Sequence, residues 1–140
     1  MSAPETIWPL RVQDPKKAVA AVISWEMGIR LLQGKMNQSM SVKEYQRANE
    51  FIEKRLEDIR LYGTDEFSYL LERNFEGEIA YCQRRLHQMI DMLLPLTEAS
   101  TVVDIRWNQV IKRLLMIVPE LRISFEFAVQ QLSSEMAYDG

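Results

Sequence analysis

The feature that most limits how this chain can fold is the spacing of its apolar residues. Between positions 67 and 93 they recur as Phe67, Leu71, Phe75, Ile79, Cys82, Leu86, Met89 and Leu93. Steps of three and four residues return to one side of an α-helix and fall on alternating faces of a strand. The same rhythm runs through Ala18, Val22, Trp25, Ile29 and Leu32, and again through Tyr45, Ala48, Ile52, Leu56, Ile59 and Tyr62. An all-α fold follows. The scarcity of turn formers agrees, since only five Gly and five Pro occur in 140 residues and sandwiches or barrels need many turns.

Capping residues divide the rhythm into helices. Asp14 is placed to N-cap a helix over 15–33, Pro15 fits its first position and Gly34 its end. Ala21 and Gly28 lie beside its apolar stripe, small enough for another helix to come close, and Glu26 and Arg30 form an i,i+4 pair assigned to its outer face. Ser41-Val42-Lys43-Glu44 reads as a capping box opening a helix over 42–62, whose balanced charges suit a solvated face. Thr64 caps the next stretch. Its unbroken register predicts one helix over 65–94, about 45 Å long at 1.5 Å per residue, with Asn74 and Gly77 as its weak point, where a kink or break is the main alternative, and Pro95 as its end. Thr101-Val102-Val103-Asp104 reads as a second capping box before a helix over 102–118, with Val103 and Trp107 inward. Pro119 is then expected to kink or break the chain before a last helix reaching about residue 136, with Leu132 and Met136 inward.

The expected architecture is an antiparallel bundle of four long helices, five if Pro119 breaks the last, joined by short connections. It forms a single domain over 14–140. Residues 1–13 precede it as an extended arm, because Pro4, Pro9 and Pro15 oppose a helix there. The arm nevertheless carries Ile7, Trp8 and Leu10, which a solvated tail does not need, and these are the candidate partner-binding residues.

Composition narrows the functional classes. Apolar residues make up 47% and charged residues 26%, the balance of a folded globule. A net charge of −3 disfavours broad phosphate contact. Charge is uneven, however: residues 64–80 carry five acids against one Arg, and residues 100–118 carry Arg106, Lys112 and Arg113 against one acid. With Arg84 and Arg85 these form a candidate basic patch. One cysteine, no basic start followed by an apolar run, and no long uncharged apolar stretch lead to the expectation of a cytoplasmic protein without a membrane span.

Catalytic and metal chemistry find little support. His87 is the lone histidine and Cys82 the lone cysteine. Five residues apart on a helix, they point roughly 140° away from each other and cannot share a zinc. A di-iron bundle needs Glu-x-x-His motifs, and position 84 is Arg. No glycine-rich phosphate loop or Gly-x-Ser-x-Gly elbow is present. Cys82 lies on the apolar stripe, and only exposure beside Arg85 would make it reactive. Met36, Met40, Met89, Met92 and Met116 suit core gaps first and adaptable surfaces second. The expectation is therefore a non-enzymatic protein-binding helical protein, an adaptor, assembly subunit or small regulator or inhibitor, self-associating and without cofactor or metal. The apolar stripes of helices 1, 4 and 5, wider than one face, agree with it. Two weaker alternatives stand beside it: a nucleic-acid-binding subunit of a ribonucleoprotein using the basic residues after position 100, and a small nuclease-like enzyme centred on His87, with Asp91 placed to orient it.

Overall fold

In the computed structural model residues 12–97 and 99–139 are described, with side chains described as far as residue 131. Ile7, Trp8 and Leu10, and the side chains of Leu132 and Met136, lie outside the described residues. The elements are α1 (Pro15–Gln33), β1 (Met40–Ser41), α2 (Val42–Tyr62), α3 (Asp65–Asn74), α4 (Glu76–Leu93), β2 (Thr101–Val102) and α5 (Ile105–Asp139). This is the all-α helical bundle that the periodicity dictates.

Both early caps form. The Asp14 carboxylate accepts from the Lys17 N–H at 3.2 Å. The Ser41 hydroxyl accepts from the Glu44 N–H at 3.1 Å, while Glu44 accepts from the Ser41 N–H, so two otherwise unsatisfied donors are paired reciprocally. The α1 stripe of Ala18, Val22, Trp25 and Ile29 is fully buried and packs against both α2 and α5. At the two ends of the bundle aromatic pairs fix the packing. Phe67 stacks on Phe125 with centroids 4.3 Å apart, and Tyr45 meets Trp107 edge-on at 5.2 Å. Such pairs add roughly 0.5–1.5 kcal/mol each beyond the area they bury.

Four expectations need correction. The helix over 65–94 is two helices: Phe75, at φ −132° and ψ −24°, separates α3 from α4. Gly77 has no neighbouring atoms around its missing Cβ and Asn74 is exposed, so nothing there offsets their low helix propensity. The break lets α3 turn Phe67 toward α5 while α4 packs on both α2 and α5. Of the two outcomes expected at Pro119 the break does not occur, since α5 runs through it without interruption. Ile117, Val118 and Leu121 on either side are buried, and that burial holds the helix together despite the missing N–H. So the count is five helices, with the division at Phe75 rather than at Pro119.

The third correction concerns residues 101–104. Thr101 and Val102 form a strand paired antiparallel with β1, in the register Met40↔Val102 and Ser41↔Thr101. Their backbone groups are therefore not available to open a helix. α5 begins after Asp104, whose Oδ1 accepts from the Arg106 N–H at 2.9 Å, and Val103 is more than half exposed rather than inward. The fourth concerns Glu26, which is buried at 7% exposure rather than on an outer face. It meets Arg122 of α5 at 2.9 Å and Arg30 at 3.6 Å.

Candidate partner-binding face

The core uses only one side of α1. On the opposite side Ile23, Met27 and Leu31 follow one another at i, i+4 and i+8, exposed at 37%, 61% and 77%. α5 repeats the pattern with Met116, Ile123 and Phe127, each more than half exposed. The Glu26–Arg122 pair lies where α1 meets α5. In helical projection both apolar rows lie well over 90° from their helix's buried stripe and on the outside of that contact. They are two exposed apolar rows on neighbouring helices, with the charges of Glu26, Arg30, Arg122 and Glu126 along the seam between them. Isolated exposed apolar residues are ordinary; rows of this length at helical spacing mark interaction surfaces.

Toward α2 the α1 row borders a shallow, open groove. Lys17 lies over the Tyr62 ring at 5.2 Å, Phe51 lies against Gly28, and Lys35 meets Glu44 at 3.3 Å, so α1 and α2 run antiparallel with the groove between them. Two adjoining depressions of about 330 and 440 Å³ share Gly28, Leu31 and Phe51. The missing side chain of Gly28 lets the Phe51 ring lie against α1 between them, since a Cβ there would fall 2.2 Å from Cζ of Phe51. The α1 wall is apolar. From α2 Phe51 lines the depressions, and Arg47, Lys54 and Arg55 stand at helical spacing from it on the same side of the helix; the Arg55 guanidinium sits 5.4 Å from the Phe51 ring, and Asp58 is the carboxylate that Lys54 and Arg55 share.

The residues singled out from sequence for chemistry are placed elsewhere. His87 pairs through Nε2 with Glu53 of α2, not with Asp91, and its side chain is mostly exposed. Cys82 is buried, and burial pushes its thiol up to about 11 despite the opposing charge of Arg113. Arg85 is not the cation that acts on it. Among the described residues no group of three or more His, Cys, Asp or Glu side chains is arranged to hold a metal, and no helix is long and apolar enough to cross a membrane.

The five residues of the basic patch are not brought together as free charges. Arg113 binds Glu78 of α4 through two nitrogens, at 2.6 and 3.1 Å, and lies over the Tyr81 ring at 4.3 Å. One acid of the 64–80 segment and one base of the 100–118 segment are thus joined across the bundle. Arg106 is held by Asp104 at 2.7 Å. Burial by itself would raise the Asp104 carboxyl, but the side-chain and backbone hydrogen bonds from Arg106 outweigh it and keep it below the usual carboxylate range. Lys112 and Arg84 are exposed, and Arg85 is half-buried.

The fold and face define a helical-bundle protein with an unpartnered apolar surface. Compared with protein-family models, with curated proteins and with solved structures, the chain matches none.

Proposed function

We propose that this is a non-enzymatic protein-binding protein, an adaptor, assembly subunit or small regulator, whose binding surface is the outward face of α1 and α5 with the groove beside Phe51. The observation that carries the reading is the row Ile23, Met27 and Leu31, three large apolar side chains left outside a core that α1 already completes on its other side. Solvent exposure of such rows is unfavourable by about 25 cal/mol per Å², and a partner that covers them recovers that term. Commitment of Arg106 and Arg113 to carboxylates of the same chain weakens the ribonucleoprotein alternative, and a largely exposed His87 with Glu53 gives little for a nuclease-like site.

The reading includes self-association. Light scattering on the intact protein and on Met27→Glu and Ile123→Glu variants tests it, together with mass determination of proteins retained from the native lysate. A mass above 16.4 kDa, or a retained protein, that is lost in either variant is the expected result. A monomer that retains the same proteins with and without these changes overturns the reading. Deletion of residues 1–12 tests separately whether Ile7, Trp8 and Leu10 contribute.

A further inference from the structure

The groove between α1 and α2 is asymmetric in a way that specifies an occupant. We propose that it is a docking site for an amphipathic helix of a partner protein, with an apolar face and an acidic edge. The inference rests on the protein-binding reading above and names the chemistry of the partner.

Shape gives the first argument. The apolar wall from Ala20 to Leu31 is straight, because it is one side of a continuous helix, and spans about 17 Å at 1.5 Å per residue. That matches three turns of a docked helix. Gly28 lets the Phe51 ring lie directly on the α1 backbone, so the ring floors the middle of the groove and an apolar anchor from the occupant rests on it beside Leu31. Helices that bind in grooves present anchors at i, i+3, i+4 and i+7, the spacing this wall accepts.

Charge gives the second argument and selects the sign. The chain as a whole carries −3, yet the side of α2 that bears Phe51 holds three bases, Arg47, Lys54 and Arg55, against two acids, Glu44 and Asp58, and Lys35 adds a fourth base from beyond α1. Arg47 is exposed and has no carboxylate partner among the described residues; Lys54 and Arg55 share the one carboxylate of Asp58. At the end of the groove Lys35 is more than half exposed despite its contact with Glu44. The other wall, at Ile23, Met27 and Leu31, has no charge at all. An occupant that lays apolar residues on α1 therefore turns one edge toward Arg47 and Lys54, and carboxylates on that edge complete the site. A contact this small sits at the weak, transient end of protein interfaces.

The probe is a fluorescently labelled amphipathic peptide of about 14 residues, those three turns with one or two further residues at each end, with Leu and Phe on one face and Glu along one edge; matched peptides carry Gln or Lys at the edge positions. Anisotropy titration against the full-length protein is expected to show the Glu-edged peptide binding about tenfold more tightly than the Lys-edged one, the sum of a few partly exposed charge contacts. The preference shrinks with added salt. It reverses in the double variant Arg47→Glu/Lys54→Glu, and Leu31→Glu abolishes binding of all three peptides while circular dichroism reports an intact fold. Equal binding of the three peptides, or indifference to Arg47 and Lys54, overturns the proposal. So does attachment to phosphatidylserine vesicles with the same residue dependence while the peptides fail. A dimer that Leu31→Glu dissociates and that excludes the peptides overturns the acidic-helix assignment but leaves the protein-binding reading standing. Absence of both peptide binding and any Leu31-dependent association removes both.

Discussion

The ring of Phe51 occupies the space that a side chain at Gly28 would fill, with Cζ 2.2 Å from the position of the absent Cβ. The glycine lies in mid-helix, where it is less favourable than alanine by about 1 kcal/mol. Its retention in α1 is explained by the ring, and the consequence is a coupling between the two positions. Gly28→Ala is expected to stabilise the protein by about 1 kcal/mol in a Phe51→Ala background, but to give little or no gain in the presence of Phe51, because the ring must swing away. Urea denaturation of the four proteins measures it. Equal gains in both backgrounds would show that the two residues do not touch.

Asp104 gives a pH-dependent prediction. Its carboxyl is held below the ordinary value of 3.8, against the effect of burial, by Arg106. A depressed folded pKa stabilises the protein above the unfolded value, and that stability is lost as pH falls through the folded value. Asp104→Asn is therefore expected to cost about 1–2 kcal/mol near neutral pH, toward the lower figure because Arg106 is partly solvated. The difference from the unaltered protein should narrow in acid below the ordinary Asp value. Denaturation across pH checks both points, and a pH-independent deficit would mean that the charge is not the cause.

Cys82 should be inert while the protein is folded. Burial raises the thiol to about 11, so almost no thiolate exists at pH 8, and the sulfur is 1% exposed at the level of the residue. A thiol reagent is expected to modify it only at the rate of unfolding, with reaction becoming rapid in urea. Fast stoichiometric labelling under native conditions would contradict the burial.

Pro119 interrupts the hydrogen-bond ladder of α5 without ending the helix. Replacement by alanine restores an N–H to that ladder and removes the ring's conflict with the preceding turn. Pro119→Ala is expected to raise stability by about 1–3 kcal/mol, read as a higher midpoint in thermal or urea unfolding. A lower midpoint would show that the proline ring contributes packing that outweighs its backbone defect.

Much of this architecture was legible in local sequence because its causes are local. Asp14 with Pro15, and Ser41 with Glu44, position α1 and α2 through contacts within one turn, and the three-four spacing identifies which side of each helix is buried. Half of the candidate site was legible in the same way: apolar residues on α1 and α5 exceed what one buried stripe requires, and they are the ones left exposed. The other half was not. Arg47, Lys54 and Phe51 belong to a helix whose balanced charges read as a solvated face, and only the approach of α1 turns one edge of it into the rim of a groove.

The same division holds for the elements. Sequence determined that the chain is helical and where most helices begin, since propensity, capping and periodicity act within a few residues. Tertiary packing decided the rest. Asn74 and Gly77 marked where the long helix is weak, but the unbroken stripe through Phe75 could not decide between a continuous helix and a break; the packing of α3 and α4 did. A proline at position 119 left a kink or a break open, and burial of Val118 and Leu121 keeps the helix continuous. The pairing of Met40 with Val102 joins residues some sixty positions apart. No periodicity within either segment encodes it, because neither two-residue strand exists without the other.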